Sequence, residues 1–170
     1  MDAARTRCPV AVVIVLSVDP GGTSYATRGN RPQGSTAGTG LVLFRPVSKL
    51  EIDVLCWKEI VERHETLDWI AQLKLWNKLD YVICESYYPA GFVKSWEPDV
   101  VYIIGTLEYM FGPQRFYNKT NAASASAHGT KDKLRPYIQG ENAVGRGGQG
   151  HAIMALKHAL HWTANNWKES

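Results

Sequence analysis

Val10 to Val18 (VAVVIVLSV) is a nine-residue run of apolar and small residues rich in β-branched side chains, and Asp19-Pro20-Gly21-Gly22 breaks it at once. Without polar alternation, such a run fits a central strand covered on both faces. It is far short of the ~20 apolar residues a membrane-spanning helix needs. The carboxylate at its tip demands a reason, because an ionised group beside a buried strand loses water. Taken alone, Asp19 before Pro-Gly reads as a cap or turn residue.

Asp80 to Tyr88 (DYVICESYY) repeats the pattern, a buried strand carrying a carboxylate, Glu85. The stretches between and after suggest the order of elements. Thr23 to Thr27 is a candidate second strand, and Arg28 to Gly40, rich in Gly, Pro, Ser and Asn, a long hairpin connection. Leu41 to Arg45 and part of Glu51 to Trp57 read as strand, completing an antiparallel meander of three strands. From about Lys58 to Leu79 the period changes: Trp69, Leu73 and Trp76 fall at i, i+4 and i+7, as on an amphipathic helix. Ser95 to Phe111 predicts a second helix, capped by Ser95, with Val100, Ile103, Ile104 and Leu107 as its apolar stripe. Gln114 to Asn118 predicts a fifth strand, and His151 to Trp167 a closing helix with Ile153, Leu156, Ala159 and Leu160 along its packing face.

This order predicts a mixed α/β fold with a five-stranded sheet, the fourth strand parallel to the first. If those two strands are neighbours, Asp19 and Glu85 emerge at the same end of the sheet. At 170 residues, with 45% hydrophobic and 21% charged residues, a single globular domain is expected over residues 1–170. Arg5 and Arg7 do not make a convincing leader, so a soluble, cytoplasmic protein without membrane contact is expected. Cys8, Cys56 and Cys84 have no metal-type spacing and read as free thiols.

Two carboxylates side by side in a partly dry site repel and raise one another's pKa. A hard divalent cation removes that penalty, and Mg²⁺ favours oxygen ligands and accepts phosphate oxygens. Two such ions about 4 Å apart activate water on one side of a phosphodiester and stabilise the leaving oxygen on the other. Gly21 and Gly22, lacking side chains, leave space beside Asp19 for a backbone phosphate. A metal site acting on a phosphodiester is therefore one reading of Asp19.

VLSVDPGGTSYA resembles the opening strand of RuvC-type Holliday junction resolvases, a branch of the RNase H-like nuclease superfamily, and YVICES resembles their fourth strand with its glutamate. GQGHAIMALKHALHW is similar to their final helix, which commonly carries a His-Ala-x-Asp-Ala pattern. SWEPDVVYIIGTLEYM and TNAASASAHGTKDKL fall where phage relatives place a helix and the substrate-contacting segment. The resemblance implies an RNase H-like fold and a structure-selective DNA endonuclease that resolves four-way or branched junctions in recombination and repair. It implies two Mg²⁺ or Mn²⁺ ions, with Asp19 bridging both, Glu85 binding one, and His151 as a ligand or proton-handling group. It also implies a homodimer, since resolution needs two symmetric cuts, and by analogy a bacterial or phage-infected cell.

The chain departs from the pattern at Met154, where the family places a carboxylate. A thioether is a poor ligand for Mg²⁺ or Mn²⁺. Three readings compete: a junction-binding relative with little cleavage, substitution by another acid with Glu141 the nearby candidate, or a loosely held ion supported by His151 and water. Another RNase H-like nuclease, acting on flaps or RNA–DNA hybrids, is a further alternative.

For DNA contact, the aromatic stretch after Glu85 offers Tyr88 and Phe92 for stacking on unpaired bases, with Lys94 beside them; loop packing is the alternative. Arg115 to Arg146 holds six basic residues against two acidic ones, so the modest net charge of +3 conceals a local basic segment. Lys119, Lys131, Lys133 and Arg146 are its candidate phosphate contacts, with a solvated flexible loop as the alternative. Tyr102 and Tyr109, seven apart, share one face of the second helix and suit either pairing or ordinary packing. His158 and His161 are expected to be structural or surface residues, since His158 lies about 10 Å of helix rise beyond His151.

Overall fold

The first strand, β1 (Val15–Asp19), is buried at every position, and its side chains divide alternately between two layers. Val15 joins one hydrophobic cluster, while Leu16 and Val18 join the other. The computed structural model describes residues 12–21, 38–75, 79–86, 98–120, 122–148 and 150–167. Five strands form one sheet in the order β3-β2-β1-β4-β5, where β2 is Thr39–Ser48, β3 Glu51–Ile60, β4 Tyr81–Glu85 and β5 Phe116–Thr120. β1 pairs antiparallel with β2, and β2 with β3; β1 pairs parallel with β4, and β4 with β5. The predicted meander and parallel fourth strand are present. Thr23–Thr27 lies outside the described residues, and the meander is built from β1, β2 and β3.

Helices cover both faces. One layer holds α1 (Arg63–Leu75) and α2 (Pro98–Phe111), whose Ile70, Leu73, Ile103, Leu107 and Phe111 pack on Leu16, Val18, Leu41, Leu43, Val82 and Cys84. Arg63 joins the two helices through an ion pair to Asp99 at 2.8 Å. The other layer is dominated by α5 (His151–Asn166), whose Ala152, Ala155, Leu156, Ala159, Leu160 and Trp162 meet Val15, Val42, Phe44 and Ile83. Trp162 is ringed by Phe44, Tyr81 and Tyr117 at centroid distances of 5.8–6.3 Å, within the range of favourable aromatic pairing.

Two sequence expectations change. Lys58 to Ile60 belongs to β3 rather than to the first helix, because β2 offers a full ladder of partners up to Thr39↔Ile60. The basic segment predicted to be flexible contains two short helices, α3 (Ala122–His128) and α4 (Lys131–Ile138), with Leu134 buried beneath α4. Glycine and alanine run through this stretch, but Leu134, Tyr137 and Ile138 give α4 an apolar anchor on the α5 side of the sheet. Ser95 and Trp76 lie outside the described residues. Of the cysteines, Cys84 is buried and Cys56 partly buried, both free.

Helix α5 approaches β2 without an intervening side chain. A methyl group on Gly40 would overlap the backbone of His151 and Ala152, so glycine sets the helix-to-sheet distance there. Gly40→Ala is expected to lower stability by about 1–3 kcal/mol through overpacking, read as a reduced midpoint in chemical denaturation.

Candidate metal centre

The strand register places the two acids together. Val18 pairs with Cys84 across β1 and β4, which puts Asp19 and Glu85 at neighbouring strand ends. The period of two then turns both toward α5: Ser17 and Asp19 share the Val15 face, as Glu85 shares that of Ile83. Ser17 donates its hydroxyl proton to the Ala155 carbonyl at 2.7 Å, tying β1 to the middle of α5.

The start of α5 is held by the edge strand β3. Glu59 Oε1, on β3, accepts hydrogen bonds from the backbone N–H of Gly150 at 3.1 Å and of Ala152 at 2.8 Å. A carboxylate there satisfies otherwise unpaired N–H groups and complements the positive end of the helix. His151, at the first position of this anchored helix, contacts Asp19 Oδ2 through Nδ1 at 2.8 Å. The imidazole fits because Gly21 has no side chain: a methyl group there would overlap the Gly38 carbonyl oxygen and His151 Cε1. The space at Gly21, expected to admit a phosphate, is thus taken up by Gly38 and His151; Gly22 lies outside the described residues.

Asp19, Glu85 and His158 form a group whose potential ligand atoms all lie within 4.8 Å of one another. His158 is not a surface residue: it is 1% exposed, with Nε2 3.6 Å from Glu85 Oε2. The two turns of helix rise that separate it from His151 are spanned by the acid pair, Asp19 meeting one histidine and Glu85 approaching the other. Spacing along α5 alone could not reveal this; the signal available was the i, i+3, i+7 stripe of His151, Met154 and His158 on one helix face. Met154, half-buried between them in sequence, supplies no carboxylate. Glu141 is exposed in the turn after α4 and is not a member of the group.

The electrostatics follow from this packing. The Asp19 carboxyl is raised from 3.8 to about 6, chiefly by burial; its contact with His151 opposes the rise and the nearby Glu85 carboxyl adds to it. Beyond the acids, His161 meets His128 at 2.9 Å between Nδ1 atoms. Burial lowers the His161 pKa, assisted by His128 and His158, which favours a neutral imidazole.

No protein-family model matches the sequence, and no curated protein matches it. Among solved structures, the chain is similar to T. thermophilus RuvC in complex with a Holliday junction substrate, at a TM-score of 0.56 and 16% identity over 88% of this chain and 91% of that one. The fold is RuvC-like, of the RNase H type. The fowlpox virus Holliday junction resolvase aligns at a TM-score of 0.48 and 15% identity, covering 89% of this chain and 98% of that one.

On this RuvC-like frame the candidate nucleic-acid contacts are dispersed. Lys131 and Lys133 are exposed on α4, and Arg146 is exposed in the turns before α5, reaching the Gly140 carbonyl at 3.3 Å. Lys119 belongs to β5. Tyr88, Phe92 and Lys94 lie outside the described residues. Among the described residues no helix is long and apolar enough to cross a membrane.

The raised Asp19 pKa sets a pH dependence for the ion-free protein. Between pH 3.8 and about 6 the folded carboxyl holds a proton that the unfolded chain has released. Stability therefore falls as pH rises through that window. Asp19→Asn is expected to stabilise the ion-free protein at pH 7 by about 1–3 kcal/mol and to flatten this pH profile, measured by thermal denaturation in the presence of chelator.

Proposed function

We propose that this protein is a metal-dependent endonuclease acting on branched DNA, with four-way junctions as its preferred substrate. The observation that carries the reading is the convergence of Asp19 and Glu85, distant in sequence, at one end of the sheet of a RuvC-like fold. RuvC from T. thermophilus is described with a Holliday junction substrate, and the acid pair supplies the oxygen donors that Mg²⁺ or Mn²⁺ chemistry on a phosphodiester requires.

The donor set suits a divalent cation. Two carboxyl groups crowded together, one of them raised to a pKa of about 6, chiefly by burial, gain from a cation that relieves their repulsion. Asp19 and Glu85 would hold it. A bound divalent ion supplies an activated water and charge stabilisation at the phosphoryl group. His151 orients the Asp19 carboxylate through its Nδ1 contact, and its position at the rim suits it to hold or pass a proton near the attacked phosphate. The exposed Lys131, Lys133 and Arg146 are proposed phosphate contacts, with Lys119, Tyr88, Phe92 and Lys94 as further candidates. Such contacts position the DNA without reading its bases.

Two symmetric cuts call for two copies of the chain. The face of α2 bearing Tyr102 and Tyr109 is exposed and is proposed as part of a homodimer surface. A second reading, a junction-binding relative with little cleavage, is favoured by one observation: Met154 stands where the family pattern has an acid.

Cleavage assays on four-way junctions, flaps, RNA–DNA hybrids and linear duplex separate these readings. The expected result is divalent-ion-dependent cutting of junctions in preference to the other three, with Asp19→Asn and Glu85→Gln each slowing it at least 100-fold, on the scale of losing a group that stabilises the transition state. Tight junction binding with no cut product under Mg²⁺ or Mn²⁺ titration identifies the binding relative instead. Met154→Asp adds an anionic donor on the stripe between His151 and His158 and should raise metal affinity on the order of 10-fold, followed as the metal concentration giving half-maximal cleavage.

A further inference from the structure

His158 is buried to 99%, since only 1% of it is exposed, yet among the described residues neither ring nitrogen has a hydrogen-bond partner. An imidazole cannot leave both nitrogens unsatisfied in a protein interior without a penalty of about 1–3 kcal/mol. Its Nε2 lies 3.6 Å from Glu85 Oε2. That is too long for a hydrogen bond. It falls between the roughly 3 Å and 4.2 Å that separate adjacent and opposite ligands held about 2.1 Å from one octahedral ion.

Resting on the metal-dependent reading above, we propose that His158 is the third protein ligand of a site formed with Asp19 and Glu85, and that this ligand set selects Mn²⁺ or Co²⁺ over Mg²⁺. Magnesium prefers oxygen donors and gives up its waters reluctantly, whereas imidazole nitrogen suits later divalent metals, whose affinities rise from Mn²⁺ through Co²⁺. The neighbouring groups leave this role to His158. His151 is engaged with Asp19 at 2.8 Å, and His161, one turn beyond, is engaged with His128 at 2.9 Å. Cys84 packs in the hydrophobic cluster on the opposite face of the sheet, so its thiol does not enter the site. Met154 offers only a thioether. The nitrogen of His158 thus substitutes, one helical turn further on, for the oxygen ligand missing at position 154.

Pulsed electron paramagnetic resonance of Mn²⁺ bound to the full chain tests this directly, with Mg²⁺ as competitor. The wild-type protein should show nitrogen coupling from a directly bound imidazole. His158→Gln, which offers an amide oxygen of similar reach, should abolish that coupling and weaken Mn²⁺ binding on the order of 10–100-fold, with Mg²⁺ affinity little changed. His151→Gln should keep the coupling, and this variant decides the matter if His158→Gln does not fold. Coupling that persists in His158→Gln, or vanishes in His151→Gln, overturns the assignment. Mn²⁺ that binds without nitrogen coupling while junctions are cut overturns the inference and leaves the nuclease reading standing; wild-type protein that binds no divalent ion overturns both.

Discussion

The parallel pairing of β1 with β4 is the contact on which the candidate centre depends. One residue of register, Val18 opposite Cys84, sets Asp19 beside Glu85. Because side chains alternate along a strand, a slip by one position would turn the acids to opposite faces of the sheet. Hydrophobic burial guards against that slip. Leu16, Val18, Val82 and Cys84 fill one layer while Val15 and Ile83 fill the other, so moving β1 by one residue would mismatch both cores at once. The unfavourable placement of two carboxyls in a partly dry site is therefore imposed by strands whose apolar content is satisfied only in this register.

The second requirement is that α5 lie close to the sheet and in a defined rotation. Gly40 removes the side chain that would hold the helix away, Ser17 ties the helix middle to β1, and Glu59 closes its first turn. Ala152, Ala155 and Ala159, all fully buried, let the helix sit near the strands, while the larger Leu156, Leu160 and Trp162 anchor it among Phe44, Tyr81 and Tyr117. With the rotation set, the stripe of His151, Met154 and His158 has one direction to face. The acid pair is then bracketed by two imidazoles, one bonded to Asp19 and one approaching Glu85.

Much of this was legible in the residues. The apolar run before Asp19, the similar run before Glu85 and the heptad-like stripe of α2 each carry a period or a content that only one type of element satisfies. Their boundaries were less legible. Lys58 to Ile60 continues as strand because β2 is long enough to pair with it, a fact about the partner rather than about those three residues. The segment from Ala122 to Ile138 looked like loop because small and charged residues dominate it, yet Leu134 and Tyr137 suffice to dock a short helix. His158 is buried rather than on the surface, and its approach to Glu85 was not legible, because distance along a helix axis says nothing of how far a carboxylate from a strand end can reach toward it.

By itself the sequence determined the mixed α/β class, the order of β2 to β5 with α1, α2 and α5 among and after them, and the presence of an acid at the end of two buried strands. Those properties are local: they depend on side-chain period, chain breakers and the cost of exposing apolar surface. Tertiary structure alone decided that Glu59 anchors α5, that Gly21 accommodates His151, and that His158 joins Asp19 and Glu85. Each of these joins residues more than 70 positions apart, and only the packing of a helix across strand ends, with its rotation set by what it buries, brings them together.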